Sequence, residues 1–492
     1  MAASSASAVS GGGGPNRAAL LAVVCLGQFM VLLDNTIVGA ALPDMQLRLH
    51  TQLTGLQWIV DAYVLLVAML LLTGGVLADR FGRKRVYLGG VAVFTVASVL
   101  CSCATSVGWL VAGRMAQGIG AAALSPASLS LLVAAHPAAR ERVRAIGLWA
   151  GLSGIGLAAG PLAGGVLTEA FGWPAIFLVN VPIGLILLLA GRSVLTESRN
   201  PAAPALDVPG TLLSVLGVGT LTYALIEGGA RGWTSPPILG GFAAALVLLA
   251  AFVVVEGRRS APMLPPRLFR QRLFTVSNTA MVVVGFALMG ATFFFSQFFV
   301  HVQGSSVLRA GLQTLPTSLA MVVVSPFAGR LAARYGFRGV VTVGLVLAGA
   351  GLLALGSVHA DTGYAHVWWR LATVGAGFAL TMSPLTGAAI QAVTAQEGGL
   401  ASGVSSTTRQ IGAVLGVAVL GAVVRTRQSD GASFEAGLNS AFVAAGTVTL
   451  ACAVLTGLWL TGSGPRWTPS TAPTRGAAET APSPAAESQP PA

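Results

Sequence analysis

The sequence predicts an all-α integral membrane protein with 14 transmembrane helices, and three observations support this fold class. Of the 492 residues, 54% are hydrophobic and only 9% are charged, which leaves too little polar surface for a soluble globule of this size. Apolar runs long enough to cross a bilayer as a helix, roughly 20 residues each, recur almost back to back from Ala18 to Thr461. The runs are continuous, whereas the strands of a membrane barrel alternate apolar and polar residues over roughly 10 residues.

The two ends of the chain differ in composition from the apolar part. Residues 1–17 are mostly Ala, Ser and Gly, and residues 462–492 are rich in Pro, Ala, Ser and Thr. Such segments have too few apolar residues to build a packed core, so we expect a disordered leader and a disordered tail. The first apolar run follows no basic n-region and is longer than a signal-peptide core, so we expect no cleaved signal.

The 14 apolar runs fall into three groups along the chain. The first six occupy residues 18–191 and predict an N-terminal six-helix bundle. Residues 192–273 form a polar and basic linker that contains two extra transmembrane helices, near 208–227 and 236–255. The last six runs occupy residues 274–461 and predict a C-terminal six-helix bundle.

The net charge of +12 reflects where the basic residues lie. Most Lys and Arg residues cluster in short turns between apolar runs, which is typical of membrane topology and not of nucleic-acid binding. If the N-terminus is cytoplasmic, most of them fall in cytoplasmic turns, and an even number of spans places both termini inside. The outer turn 425–439 is an exception, because it contains two arginines.

An internal repeat relates the two six-helix groups. The segment GRLAARYGFR from Gly329 resembles GVLADRFGRK from Gly75, at an offset of 254 residues. Arg370 lies at the start of its apolar run as Arg114 does in the first group, at an offset of 256 residues. Repeated halves about a central axis are an architecture of secondary transporters, whose substrate site lies near the middle of the membrane between the halves.

Six motifs lie in or beside the predicted helices. In chain order they are LDNTIVGAALP from Leu33, GGVLADRFGRK from Gly74, GRMAQGIGAA from Gly113, GIGLAAGPLAGG from Gly154, FLVNVPIG from Phe177 and RQIGAVLGVAVLG from Arg409. In combination they resemble the motifs of the fourteen-span drug:proton antiporter family of the major facilitator superfamily, and the resemblance covers nearly the whole chain. The second half departs from this pattern at Ala333, which replaces the acid of the loop motif.

The resemblance implies a function and a location. We expect a proton-coupled antiporter that exports amphipathic organic compounds, cationic or neutral drugs or antibiotics, by alternating access. We expect it as a monomer in the bacterial cytoplasmic membrane, with small amphipathic substrates, protons and lipid as its partners. A proton-coupled nutrient symporter and a lipid translocase are the alternatives.

Two charged residues inside predicted helices are the candidate proton-coupling residues. An isolated charge such as Asp34 near the bilayer centre costs about 2.5–3.5 kcal/mol on insertion scales, so it must face the protein interior. Movement between dry and wet surroundings would let it bind and release a proton, and Arg114 is its candidate partner. The alternative is a permanently paired acid and an arginine that joins helices. Asp61 is a third candidate, but it lies nearer the outer end of its run, where water alone could hydrate it.

The loop motif is the candidate conformational switch, comprising Gly75, Asp79, Arg80, Gly82, Arg83 and Lys84. A carboxylate is stabilised at a helix N-terminus, and the resemblance places Asp79 against the start of the thirteenth span, near residues 400–403. Forming this contact would favour the outward-facing state, and breaking it would favour the inward-facing state. The alternative role of the basic residues, which is compatible with the first, is to set the topology.

The antiporter helix motif comprises Gly156, Gly160, Pro161, Gly164 and Gly165. Glycines on one helix face allow close packing of helices, and the proline suggests a bend at the interface between the halves. Simple packing is the alternative. Residues that could line a cavity, although each could equally be packing, are Gln28, Phe29, Asn35, Gln57, Asn278, Gln297 and the Met and Phe residues of spans 9 and 12.

Nothing in the sequence points to an enzyme. The five histidines lie in or beside loops without metal-ligand spacing, and neither a nucleophile elbow nor a phosphate-binding loop is present. The four cysteines fall within apolar runs and lack the spacing of a zinc site, so we expect buried free thiols. We therefore expect no metal and no cofactor, with the proton as the coupling ion.

Overall fold

The computed structural model describes residues 17–136, 138–200, 205–259, 262–394 and 397–460. Within these ranges every regular element is helical. Apart from Arg17, which begins the first helix, the predicted leader 1–17 and the predicted tail 462–492 lie outside the described residues.

The helices are numbered in chain order. They are α1 (Arg17–Arg48), α2 (Leu53–Phe81), α3 (Arg83–Ser102), α4 (Val107–Ala135), α5 (Ala139–Phe171), α6 (Ala175–Leu178), α7 (Asn180–Val194), α8 (Val208–Arg231), α9 (Pro236–Arg258), α10 (Arg272–Gln297), α11 (Val307–Leu355), α12 (Tyr364–Gln391), α13 (Gly398–Ser429) and α14 (Phe434–Trp459). In the described part of the chain, 13 helical stretches are long and apolar enough to span a membrane, with α6 and α7 forming one of them.

One of these stretches, α11, is far longer than a bilayer requires. Its 49 residues would extend about 74 Å at 1.5 Å per residue, against a hydrocarbon core of about 30 Å. Gly336 interrupts it with φ 82° and ψ 157°, a conformation that a side chain would strain. Gly82, which separates α2 from α3, has φ 113°, and 336 minus 82 gives 254, the offset of the sequence repeat. The same left-handed turn therefore occurs in both halves.

The helices pack as two groups with an additional pair beside them. In the first group α1 packs on α5, while α2 and α3 pack on α4. In the second group α10 packs on α13, and α11 packs on α12 and α14. The extra helices α8 and α9 pack on each other, and α8 contacts both α2 and α13. The pair therefore lies along a seam where the first and second groups meet.

Apolar side chains on the outer faces are exposed, as lipid-facing residues should be. Helix α9 is the clearest case, with Leu246, Val247 and Val253 exposed by 72%, 66% and 61%. Three of the four cysteines are buried as expected, but Cys103 is exposed, which corrects the prediction of four buried thiols. Cys103 follows the last residue of α3, where the chain leaves the packed helices.

Candidate functional site

A buried ion pair lies inside the first group of helices. Arg114 on α4 contacts Asp34 on α1, with Nη1 and Oδ2 2.6 Å apart. The two side chains are only 1% and 0% exposed. The structure thus brings together the two charged residues that the sequence offered as partners.

Two amides complete the hydrogen bonding of Asp34. Gln117 and Asn180 donate to its Oδ1 from 3.2 Å and 2.8 Å. Neither residue was selected from the sequence, although both lie in the quoted motifs. Gln117 follows Arg114 by three residues, which places both on one face of α4, and this spacing could have identified it.

Arg114 is held by further contacts. Its Nε donates to the carbonyl oxygen of Ile59 at 3.1 Å, and Nη1 also donates to Gln117 Oε1 at 2.8 Å. The guanidinium lies 4.2 Å from the centre of the Tyr63 ring, a cation–π arrangement. Helices α1, α2, α4 and α7 therefore meet at one charge pair. Removing one partner of such a pair leaves an uncompensated buried charge, which costs about 3–5 kcal/mol.

Asp61 is buried, although its position near the outer end of the run left exposure to water as an alternative. It is fully buried, and neither carboxylate oxygen has a hydrogen-bond partner in the described part of the chain. Gln57 lies one turn earlier on the same face of α2, and its Nε2 donates to the Val417 carbonyl oxygen on α13 at 2.7 Å. Asp61 therefore lies on the face of α2 that is directed at the second group, where packed side chains exclude water.

The loop motif does not make its expected contact with the second group. Asp79 accepts from Arg83, with Nη2 at 2.8 Å and Nε at 2.9 Å. In this state Asp79 does not cap residues 400–403, and α13 has no side-chain cap at its start. The reason is local, because Arg83 lies four residues after Asp79 and reaches the carboxylate across the turn at Gly82. The capping contact, which was expected in only one of two states, stays a prediction.

The other residues of the loop motif bind the segment that follows α7. Glu197 accepts hydrogen bonds from the backbone N–H groups of Lys84 and Arg85 at 3.0 Å and 3.2 Å, which stabilises the start of α3. Lys84 Nζ donates to the carbonyl oxygen of Arg192 at 2.7 Å. Arg80 is exposed, and a Cβ on Gly75 would make only ordinary contact with α4.

Three glycines of the antiporter motif pack α5 closely against α1. A Cβ on Gly156 would lie 2.7 Å from the carbonyl oxygen of Phe29, and one on Gly160 would collide with Thr36. Gly164 similarly has no space for a side chain beside α1. Any larger residue at these positions would force the two helices apart.

The rest of the motif packs α5 against α11 of the second group. A Cβ on Gly165 would lie 2.9 Å from Leu308 Cα, and one on Gly311 would collide with the carbonyl oxygen of Pro161. Glu169 near the end of α5 accepts from the Leu308 N–H at 3.0 Å. The motif therefore closes one end of the contact between the two groups, which we call the opposite end. The end that contains the Gly82–Arg85 turn is called the basic end.

A cavity lies between the two groups of helices. Its lining comes from α1 and α5 on one side and from α10, α11, α12 and α13 on the other. The apolar part is formed chiefly by Leu157, Leu288, Met289, Phe295, Met321 and Met382. The volume is about 90 Å³, well below the roughly 300–1,000 Å³ of drug-binding pockets. A drug-sized compound therefore requires the helices to move apart.

Helix α1 connects this cavity to the ion pair. Asp34 points to Arg114, whereas the next residue, Asn35, lines the cavity. Thr36 also lines the cavity and donates to the Leu157 carbonyl oxygen on α5 at 3.1 Å. Of the other predicted lining residues, Gln57, Asn278 and Gln297 lie elsewhere. A change at Asp34 is thus one residue away from the cavity wall.

Comparison with known proteins assigns the chain to a family. The family model described as Major Facilitator Superfamily matches residues 24–417, from α1 into α13. The chain belongs to the major facilitator superfamily. Members of this superfamily that are named for drug and antibiotic resistance are similar to it over most of its length. The chain is therefore a multi-pass membrane transporter and not an enzyme.

Three relatives illustrate the similarity. Multidrug resistance protein Stp of Mycobacterium tuberculosis is 41% identical over 412 residues, which cover 83% of this chain and 76% of the relative. The methylenomycin A resistance protein of Streptomyces coelicolor is 38% identical over 435 residues, covering 87% and 90%. The tetracenomycin C resistance and export protein of Streptomyces glaucescens is 36% identical over 413 residues, covering 83% and 76%. The resemblance seen in the motifs is confirmed at the level of drug-efflux members of the superfamily.

Proposed function

We propose that this transporter is a proton-coupled antiporter that exports amphipathic organic compounds by alternating access. The observation that carries the proposal is that the adjacent residues Asp34 and Asn35 face different surroundings on α1. Asp34 is in a buried ion pair, and Asn35 is in the wall of the cavity between the groups. The resistance and export roles named for the relatives support the direction of transport.

We further propose 14 transmembrane spans arranged as six, two and six. Counting α11 as two helices joined at Gly336 raises the 13 apolar stretches to 14. An even number of spans returns both termini to the same side of the membrane. The concentration of Lys and Arg in turns at the basic end favours the cytoplasmic side of a bacterial inner membrane for that end.

In this proposal a proton and the Arg114 guanidinium compete for the Asp34 carboxylate. In the present state the carboxylate accepts from three side chains and is buried, so the pair is closed. Opening the interior to water would allow protonation, which removes the negative charge that holds Arg114. Because Asn35 and Thr36 are adjacent, the resulting shift of α1 would reshape the cavity. Asp61 is the second candidate proton carrier.

The present state fits an occluded step of such a cycle, because Leu72 of α2 packs against Gly403 at the start of α13 at the basic end. The opposite end is closed by the α5–α11 contact and by Gln57 against α13. At the basic end Asp79 remains bonded to Arg83 and does not contact α13. We propose that Asp79 releases Arg83 and caps α13 when the groups rock towards the outward-facing state.

Inverted membrane vesicles test the proposal. An imposed inside-acid gradient should drive uptake of an amphipathic dye, and Asp34→Asn should abolish this gradient-driven uptake. Because Asp34→Asn leaves Arg114 unpaired, counterflow exchange without a gradient should be measured on the same vesicles to show that the variant is folded. Asp430→Asn, in an exposed turn, is the matched control.

Two outcomes would contradict the proposal. Unchanged gradient-driven uptake by Asp34→Asn would exclude the central role of this carboxylate, and loss of uptake in Asp61→Asn alone would transfer that role to Asp61. Extrusion in place of uptake under the same gradient would indicate a nutrient symporter.

A further inference from the structure

The cavity between the two groups contains a single ionisable side chain among its lining residues, and it is a cation. Arg409 lies eleven residues after the start of α13 and twenty before its end, or about 17 Å along the helix from the Gly398 end. Its depth is that of the membrane interior, where a charged side chain usually marks a functional pathway. Of the side chains that line the cavity, no other carries a charge.

Arg409 has no internal partner among the described residues. None of the ion pairs and hydrogen bonds found in the described ranges involves its guanidinium, although every other arginine in the interior of a helix group finds a partner. The acid nearest in sequence to the cavity lining is Asp34, but its charge is neutralised by Arg114 and does not offset Arg409. The cavity is therefore positively charged, and an anion entering it would meet an unopposed guanidinium.

One uncharged polar group in the wall of the same cavity is also unsatisfied. Thr317 on α11 is 6% exposed, lines the cavity, and its Oγ1 has no hydrogen-bond partner in the described part of the chain. Gln410 on α13 and Asn35 on α1 line the cavity as well. Buried polar groups usually have partners, so unpaired ones that face a cavity are what a ligand would complete. The rest of the wall is apolar and rich in Met, which adapts to varied hydrophobic bodies.

We propose that this cavity selects amphiphiles with an anionic head group, which Arg409 binds while the apolar wall holds the body of the molecule. An arginine fork binds a carboxylate through two parallel N–H···O bonds. Thr317 supplies a further donor across the cavity, from a different helix of the second group. The inference deepens the proposed export function and rests on it. It also replaces the expectation of cationic or neutral substrates, since the cavity wall offers no acid to a cation.

Equilibrium binding without a gradient tests this choice of substrate. The probes are 6-(dansylamino)hexanoic acid, its methyl ester and the corresponding primary amine, titrated against full-length protein in phosphatidylcholine nanodiscs. The wild type should bind the acid about tenfold more tightly than the ester, because a charge-assisted bond is about 1.4 kcal/mol or more stronger than none. The amine should bind least.

Substitutions of Arg409 test whether this residue causes the preference for the acid over the ester. Arg409→Gln should bind the acid and the ester equally, while its affinity for the ester stays within about twofold of wild type, which shows that the variant is folded. Arg409→Lys should keep part of the preference, since it retains the charge but not the planar fork. Arg427→Gln, the same change in an exposed residue of the same helix, should behave as wild type.

Several results would overturn the inference. These are an acid preference that survives in Arg409→Gln, a wild-type preference for the amine, or no binding of any probe. Competition of phosphatidylglycerol nanodiscs with the acid through Arg409 would assign the site to a lipid head group and not to an exported amphiphile. Gradient-driven uptake of the ester is measured separately, so a failure of proton coupling leaves the binding result standing, and the reverse also holds.

Discussion

Two arginines inside the membrane helices, one in each group, show opposite ways of accommodating a buried cation. Arg114 contacts an acid at 2.6 Å, donates to a carbonyl oxygen and a glutamine, and lies over an aromatic ring. Arg409 makes none of these contacts in the described part of the chain and borders a cavity. Arg114 is paired within the protein, whereas Arg409 would be paired only by an anion that enters the cavity.

Under the proposed function, this difference would separate energy conversion from recognition. The closed ion pair would respond only to an agent that neutralises one partner, and for Asp34 that agent is the proposed coupling proton. An open cation responds to any anion that fits the space around it. Because α1 borders both regions, through Asp34 on one side and Asn35 on the other, the two responses can be coupled without a direct contact between the arginines.

The largest expected effect comes from removing each cation in turn. Arg114→Gln leaves Asp34 buried and unpaired, which should lower the free energy of unfolding by about 3–5 kcal/mol. Arg409→Gln removes a charge that has no partner, and the stability should change by less than about 1 kcal/mol or should rise. Thermal unfolding of both variants in the same detergent measures the difference.

A double variant checks the cause of that difference. Asp34→Asn combined with Arg114→Gln removes both charges, so it should be more stable than either single variant. Equal losses for Arg114→Gln and Arg409→Gln would show that Arg409 has a structural partner after all, and the distinction between the two regions would fail.

Much of this arrangement could be predicted from the sequence, for physical reasons. Charged residues within apolar runs must face the protein interior and pair with each other, and this argument identified Asp34 and Arg114 as candidate partners. The repeat in the sequence aligns Gly82 with Gly336, which predicts the same turn at both positions. Both glycines have a positive φ, which only glycine adopts without strain.

Other features could not be predicted, because they depend on what surrounds a residue in three dimensions. Whether Arg409 has a partner depends on side chains from several helices, and no local pattern reports their absence. The sequence does not say which partner Asp79 has in a given state, because the nearby Arg83 is as good a donor as a distant helix N-terminus. The burial of Asp61 could not be predicted from its distance to the end of the apolar run, because a second group of helices covers it.

A pair of asparagines offers a smaller test of the same contrast. Asn180 donates to Asp34 at 2.8 Å and is fully buried, so Asn180→Leu should lower stability by about 1–3 kcal/mol, because the carboxylate loses a donor. Asn35→Leu removes a polar group that faces the cavity, and it should leave the unfolding midpoint nearly unchanged while altering ligand affinity. Unfolding midpoints and dansyl-probe affinities of the two variants should therefore move independently. A shift of both properties in both variants would contradict the separation.

The smallest expected effect comes from an ion pair at the membrane surface, between Asp207 and Arg259. Its contribution to stability can be compared with that of the buried Asp34–Arg114 pair. Asp207 precedes α8, accepts from the Gly210 N–H at 2.9 Å and lies 3.2 Å from Arg259. Burial raises the pKa of Asp207, but the hydrogen bonds from Gly210 and Glu256 and the Arg259 guanidinium outweigh it and hold that pKa below its usual range. Asp207→Asn should lower stability by less than about 1 kcal/mol, because Asn still accepts at the helix N-cap and only the charge interactions are lost.

The sign of the pH dependence follows from the lowered pKa. The stabilisation by Asp207 is fully present above the pKa of the unfolded chain, about 3.9, and is lost as pH falls through the lower folded value. The difference in unfolding midpoint between wild type and Asp207→Asn should therefore close in acid. A difference that persists at the lowest pH would mean that Asp207 acts by shape and not by charge. Since Arg259 is 38% exposed, salt should also weaken this pair, whereas the fully buried Asp34–Arg114 pair should be insensitive to salt.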